Sequence, residues 1–408
     1  MLTTKVVRHC LNSQPSLLRH FLTSQQRVIV PVETCHFFNG SRRQLHHTAT
    51  STSTLEYQSD PFSLVSNELS LLAARMRSLL ASEFPKLASG ADYMFKMGVE
   101  GKHFRPTALL LMTTAFNIPI SESSPDELSA AGVPSPFGTQ LHTRLKLIAE
   151  ITELIHVGGL LHGDISDGTE TGRDLGPFNL LLGNKLAVLV GDFLLSRAYV
   201  ALASLENTEV LSLLGKVVEH LATGETMQMG MTGMASERCL NMQYYMEKTY
   251  YKRSSLISNS CRSIALVAGQ TTEVANLAYD YGKNLGFAHQ LTKDVLDFTG
   301  SYKSSGKGPL ANIRNGIITA PLVLAMEEFP QLSEVMQRGF DDPADVDLAL
   351  DYLQRSQGIE KAKDLALKHA NQAAEAINLL STSADDNKVV SRSRQALIDL
   401  TDIVCKNK

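Results

Sequence analysis

Two acidic clusters carry residue types suited to metal or phosphate chemistry: GDISD at 163–167 and KDVLD at 293–297. Asp164 and Asp167 are three residues apart, as are Asp294 and Asp297, so on helices each pair shares one face. Facing carboxylate pairs on two helices of a bundle hold hard cations such as Mg2+ through oxygen, and the cation then bridges substrate phosphates. By spacing alone, the same pairs also fit ordinary solvated helix faces. The segment GKHFRP at 101–106 adds two cations, Lys102 and Arg105, beside Pro106, a helix-starting residue. That arrangement suits an anion at a helix N-terminus, or simply a charged surface patch. ELIHVGGLLHGDISD at 153–167 then joins His156, Gly158 and Gly159 to the first acidic cluster. A lone His156 would equally fit a satisfied core histidine.

The elements that must position these groups read as helices. Leu64, Leu71, Leu72, Met76, Leu79 and Leu80 recur at helical spacing, with Asp60 and Pro61 as cap and first-turn proline. Further helical stretches run over 141–161, 179–205, 208–231, 241–268, 272–298, 313–329, 343–356, 358–380 and 388–405. The stretch 179–205 is apolar nearly all round, which places it in the middle of a large bundle. Alternating strand patterns are scarce. Four of the 14 prolines crowd into 119–136, a surface insertion, and a glycine-rich loop occupies 301–312. With no internal repeat to suggest a solenoid, the expected architecture is one all-α, single-domain helical bundle over 60–408.

Charge divides the chain unevenly. Residues 1–50 hold six basic residues and one acidic, a net +5; the remainder holds 32 basic and 41 acidic, a net −9. A basic, Ser- and Thr-rich, acid-poor start has the composition of an organelle transit peptide, so 1–55 is set apart from the folded domain. A disordered basic tail has the same composition. The overall charge of −4 offers no footprint for nucleic acid. No uninterrupted apolar run of 18 residues marks a transmembrane segment. The five cysteines lie far apart without a CxxC pair, arguing against a disulfide framework or structural zinc.

In order along the chain stand GK-x-x-RP, E-x-I-H-x-x-x-L-x-H-x-D, GNKLAVLVGDFLL at 183–195, a GE-x-x-Q and Q-L-x-x-D-x-L-D-F-T-G. This series resembles the trans-polyprenyl diphosphate synthases from about Gly101 to Pro321. The resemblance implies the isoprenoid-synthase helical bundle. It also implies a reaction in which an allylic diphosphate, held through Mg2+ by two aspartate-rich motifs, ionises and is extended by isopentenyl diphosphate. By motif, Lys102, Arg105, His156 and Arg173 would meet isopentenyl diphosphate. Lys252, Gln290 and Lys307 would remain on the allylic side.

The sequence departs from that pattern mainly at the metal site. Gly163 and Lys293 stand where the two principal metal-binding aspartates belong, leaving Asp164, Asp167, Asp294 and Asp297. Gly172 replaces an arginine, Arg253 a threonine, Asn312 an aspartate and His103 an arginine. Exchanging a carboxylate for lysine alters local charge by two units, and each unit pair at ~4 Å and an effective dielectric of ~20 is worth about 4 kcal/mol. The pattern resembles the non-catalytic second subunit of two-component long-chain synthases, such as the animal decaprenyl-diphosphate synthase. The resemblance implies a mitochondrial matrix protein in a hetero-oligomer, of which a heterotetramer is one form, with a catalytic subunit that carries the Mg2+, making the ubiquinone side chain. A slow self-sufficient synthase and a binding or scaffold protein are the competing readings. Gly158 and Gly159 occupy positions where the family floors short product channels with bulky residues, so they suit either a long product or close helix packing.

Overall fold

The chain divides into two units, Met1–Tyr57 and Gln58–Lys408. The computed structural model describes residues 60–83, 104–116, 136–166, 177–229, 239–300, 310–340, 342–380 and 387–406, all in the second unit. The expected transit segment lies outside the described residues, as do Lys102, His103, Asp167, Gly172, Arg173 and Lys307, and the side chain of Asp164.

All regular structure among the described residues is helical. The helices are α1 (Pro61–Leu64), α2 (Ser66–Glu83), α3 (Phe104–Ala115), α4 (Pro136–Ser166), α5 (Pro177–Ala203), α6 (Thr208–Met229) and α7 (Met242–Thr249). A π turn over Tyr250–Ser254 leads into α8 (Ser255–Val267), followed by α9 (Thr272–Thr299), α10 (Ala311–Arg314), α11 (Ala320–Met326), α12 (Leu332–Gln337), α13 (Pro343–Arg355), α14 (Gly358–Leu379) and α15 (Lys388–Lys406).

Helix α9 runs between α8 and α14. Small residues permit this packing. Ala362, Ala366, Ala370 and Ala373 form a buried stripe on α14. On α9, a Cβ added at Gly282 would come within 2.7 Å of the Ile257 carbonyl oxygen, and one at Gly286 within 2.8 Å of Ser254 Cα. Helix α8 is buried despite its polar sequence. The Ser258 and Ser263 hydroxyls donate to the carbonyls of Ser255 and Asn259, at 3.0 and 2.7 Å, and Ser260 pairs with Thr152 of α4 at 2.7 Å. Each buried hydroxyl so paired avoids the penalty of an unmade hydrogen bond. Around this centre pack Leu109 and Met112 of α3, Ile148 and Ile155 of α4, and Leu397 and Leu400 of α15. A smaller apolar cluster joins Ile318 and Leu322 to Val335, Met336 and Leu353.

Four expectations require correction. The first helix breaks at Val65; Asp60 and Pro61 hold the cap and first-turn positions as expected, but the Asp60 side chain accepts no capping hydrogen bond. The stretch 241–268 is interrupted by the π turn. The stretch 313–329 splits into α10 and α11, because Gly316 takes a left-handed φ of 70° and Pro321 starts a new helix. Helix α5 is not central: it buries Ala187, Val190, Leu194, Ala198 and Leu202, while Val188, Leu189, Tyr199 and Val200 are exposed on another side. Over Gly183–Ala203 it is long and apolar enough to cross a membrane by length and composition, with 33% of that window buried. Its packing along α4 makes it a member of the bundle.

Candidate functional site

The end of α9 brings Gln290, Lys293, Asp294 and Asp297 together. Asp294 is 2% exposed. Its Oδ2 accepts from the Tyr245 hydroxyl at 2.6 Å and from the Ala320 backbone N–H at 3.1 Å; its Oδ1 accepts from the Gln290 amide at 2.7 Å. Asp297 is 7% exposed and accepts the backbone N–H groups of Ala311 and Asn312, at 3.1 and 3.2 Å. The two carboxylates do share a helix face, but that face meets the N-termini of α10 and α11. There the charges satisfy orphan N–H donors. Burial raises the Asp297 pKa against the opposing pull of those backbone bonds. Lys293, one position before Asp294, is exposed.

One turn before Lys293, His289 of α9 stacks on Phe104 at the start of α3, with centroids 3.9 Å apart. Arg105 lies 3.5 Å from Glu153 of α4, longer than a charge-assisted hydrogen bond, and Arg105 Nε and Glu153 Oε1 have no hydrogen-bond partner among the described residues. Burial lowers the Arg105 pKa, Glu153 opposes the change and Arg253 adds to it. His156 and His289 are both half-buried. Both have pKa values well below the ordinary histidine range, first through desolvation and then through the surrounding cations. His156 is therefore a neutral donor or acceptor at neutral pH, not the third positive charge of an anion site.

The π turn supplies the remaining cations. It nests against α6 and α9, where a Cβ on Gly224 would stand 2.9 Å from the Lys252 backbone nitrogen. Lys252 pairs with Glu225 at 2.8 Å. One helical turn earlier, Lys248 is buried over the Tyr245 ring at 5.1 Å, and desolvation brings its pKa down to about 8. Arg253 lies close enough to Arg105, His156, His289 and Lys248 for its charge to act on each. Such π segments frequently occur at functional sites. Sequence reasoning did not assign Tyr245, Lys248, Glu153, Glu225, Phe104 or His289. The i,i+4 spacing of Lys248 and Lys252 was the available signal.

The first-motif carboxylates, Asp167 and the side chain of Asp164, lie outside the described residues. Among the described residues, no group of three or more His, Cys, Asp or Glu side chains is placed to hold a metal. The Asp294 and Asp297 oxygens are engaged with tyrosine, glutamine and backbone donors, and Lys293 adds positive charge beside them. At the first motif, a Cβ on Gly163 would stand 3.2 Å from Glu225 Oε1. Nor do the two upstream glycines line an open channel. A Cβ on Gly158 would approach the Gly191 carbonyl oxygen and Leu195 of α5, both at 3.2 Å, and one on Gly159 would approach Leu221 of α6 at 3.2 Å.

The all-α bundle of the described residues is the fold of the isoprenyl diphosphate synthases. The chain belongs to the polyprenyl synthetase family, whose model matches residues 85–353. It is 58% identical over 349 residues to mitochondrial solanesyl-diphosphate synthase 1 of Oryza sativa subsp. japonica, spanning 86% of this chain and 79% of the relative. An apo Arabidopsis medium/long-chain prenyl pyrophosphate synthase structure is 50% identical, covering 86% of this chain and 100% of its own, at a TM-score of 0.67. A Caulobacter crescentus polyprenyl synthase complexed with calcium and isoprenyl diphosphate is 25% identical, covering 85% of this chain and 97% of its own, with a TM-score of 0.68. These relatives are named as synthases, and none of the three is described as a non-catalytic second subunit.

Proposed function

We propose that this chain is a polyprenyl-synthase subunit that has lost its own metal-dependent ionisation step. It acts with a catalytic subunit of intact aspartate motifs to make the isoprenoid side chain of a ubiquinone-type quinone in mitochondria. One observation carries this reading: both surviving carboxylates of the second motif are bonded to protein donors, and Lys293 replaces the third. Mg2+ would supply the charge that stabilises a departing diphosphate. In the complex that cation belongs to the partner. The isopentenyl-diphosphate contacts assigned by motif to Lys102, Arg105, His156 and Arg173 stay with this chain, His156 as a neutral group. Lys252 and Gln290 are committed to Glu225 and Asp294, which leaves Lys307 as the allylic-side contact carried over from the motif.

The exposed apolar face of α5, formed by Val188, Leu189, Tyr199 and Val200, gives the partner a surface. Location in mitochondria is supported by the +5, acid-poor first 50 residues and by the mitochondrial name of the rice relative. A reporter fused to residues 1–55 should enter mitochondria, and the matrix in particular; a diffuse cytosolic signal would count against it.

The 58% identity to a named synthase favours a second reading, a slow self-sufficient enzyme. One assay separates the two. The purified chain, a catalytic synthase subunit from the same cell, and the pair are each supplied with allylic and isopentenyl diphosphates and Mg2+. The subunit reading expects no turnover from this chain alone and more turnover from the pair than from the partner alone. Turnover by the isolated chain would establish the second reading. A pair that neither associates nor gains activity would leave a binding or scaffold role.

A further inference from the structure

A cleft lies away from the motif residues. It opens where the start of α15 meets α1, α2, the later half of α3 and α4, and it encloses about 340 Å³. Ligand pockets run from about 300 to about 1,000 Å³, so this one suits a small molecule. At ~30 Å³ for a water-sized group, it holds about ten non-hydrogen atoms. Its α3 residues, Leu110 to Thr114, follow Arg105 by roughly 8–14 Å at the rise of a helix. No residue of the motif series lines it.

The lining is amphipathic. Leu64 of α1 with Leu110 and Leu111 of α3 supply an apolar floor, while Lys146 of α4 and Lys388 and Arg392 of α15 bring positive charge. The carboxylate that lines it, Glu68, pairs with Lys146 at 3.4 Å. Lys388 and Arg392 are exposed and have no ion-pair partner among the described residues. His142 also faces the cleft. Burial and then Lys146 hold its pKa below the ordinary histidine range, against the pull of Glu68, so it is neutral at neutral pH.

Two features of α15 make its unpaired charges costly. Lys388 and Arg392 are i,i+4 and share a helix face, where like charges repel. They also stand at the end of the helix where the dipole disfavours cations, and the first turn holds no acidic residue. The helix is held in place against this repulsion. Ser393 Oγ accepts from the Thr114 hydroxyl at 2.7 Å, and Arg394 Nε donates to the Ala115 carbonyl at 2.9 Å, both fixing α15 on α3. An anion in the cleft would answer both charges at once, and a hydrocarbon body attached to it would cover the leucine floor.

We propose that this cleft binds a small organic acid, its carboxylate held by Lys388 and Arg392 and its apolar body laid on Leu64, Leu110 and Leu111. The inference is independent of the subunit reading, because no residue assigned to the reaction takes part.

Calorimetric titration of the full chain with octanoate, a carboxylate of the right size, tests it. The controls are 1-octanol and octylamine, which carry the same chain on a neutral and a cationic head. Octanoate should bind saturably, with octanol at least tenfold weaker and octylamine weaker still. Lys388→Gln with Arg392→Gln should weaken octanoate by about tenfold or more, as expected for lost charge-assisted contacts. Lys388→Arg with Arg392→Lys, which keeps both charges, should retain most of the affinity. Val389 lines the cleft and is 63% exposed, so Val389→Asp should fold, supply a carboxylate of the chain's own and weaken octanoate as well. Melting curves establish that the variants are folded, and octanoate should raise the wild-type midpoint more than that of the glutamine double variant. No binding of octanoate, equal affinity for either control, or equal affinity in the glutamine double variant would overturn the inference.

Discussion

The Tyr245 hydroxyl donates a 2.6 Å hydrogen bond to Oδ2 of Asp294, across the space where the resemblance to synthases implies a metal ligand. That bond ties α7 to α9, and the same oxygen also accepts the first N–H of α11. Desolvation, with the Asp294 charge beside it, raises the Tyr245 pKa well above its ordinary value, so the phenol remains a donor across the physiological range. Asp294 thus joins three elements and is a structural acceptor in this chain.

Asp294→Ala should therefore destabilise the fold more than an ordinary surface change. It leaves the Tyr245 hydroxyl, the Gln290 amide and the Ala320 N–H without their acceptor. At about 1–3 kcal/mol for each buried unsatisfied group, a loss of roughly 3 kcal/mol or more is expected. Tyr245→Phe, which removes one bond, should cost about 2 kcal/mol. Urea unfolding of the three proteins checks the order. Unchanged stability in Asp294→Ala would contradict this account of the carboxylate.

Lys248 gives a pH-dependent signature. Burial, assisted by Lys252 and Arg253 and opposed by Asp294 and Glu225, brings its pKa from 10.5 to about 8. Between those values the unfolded chain binds the proton and the folded chain has released it. Stability from this group must therefore rise with pH across the window, by an amount on the order of 3 kcal/mol when complete. Lys248→Met removes the dependence, so the stability difference, wild type minus Met variant, should increase from pH 8 to pH 10. A flat or falling difference in unfolding free energy would show that Lys248 is already solvated in the fold.

Periodicity located α9, α13, α14 and α15 within a residue or two, because their caps are local. Thr271 and Asp342 accept N–H groups of the first turns of α9 and α13, and Pro343 begins the latter. The fate of Asp294 and Asp297 was not legible, since their partners at 311, 312 and 320 are mainly backbone N–H groups that no residue type advertises. The placement of α5 failed for a different reason. An all-round apolar sequence reports that a helix must be covered, but not whether its own chain or another covers it. The π turn left no signature beyond Arg253, an unexpected residue in its motif. Charge replacement at 163 and 293 was readable from sequence. The burial of Lys248 over the Tyr245 ring was not.

Gly286 tests whether the π turn depends on close packing. A Cβ there would meet Ser254 Oγ at 2.7 Å and Ser254 Cα at 2.8 Å, distances that backbone atoms cannot accommodate without moving. Gly286→Ala should push the π turn from α9. Overpacking of this kind typically costs about 1–3 kcal/mol. The expected result is a lower unfolding midpoint. A midpoint equal to that of the wild type would mean that the turn relaxes freely.

The last prediction concerns restoring the lost ligands with Gly163→Asp and Lys293→Asp together. The first substitution sets a carboxylate against Glu225, whose Oε1 lies 3.2 Å from the position of the new Cβ. Without a cation, that like-charge contact should destabilise the variant, and Mg2+ should recover part of the loss if the two acids can share it. The second substitution removes the repulsive ammonium but does not free Asp294 or Asp297 from the N-termini of α11 and α10. Lys252 remains bound to Glu225, and Gly172 still stands where the resemblance implies an arginine. Catalytic groups must be held to within about 0.5 Å, and nothing in these two changes restores that geometry. The double variant alone should therefore gain some Mg2+-dependent stabilisation yet turn over far more slowly than the proposed two-chain complex. Thermal melting with and without Mg2+ and single-chain turnover read the two effects separately. Turnover by the double variant equal to that of the proposed complex would show that the bonds to Asp294 and Asp297 yield readily to a metal, and that Gly163 and Lys293 alone set the proposed inactivity.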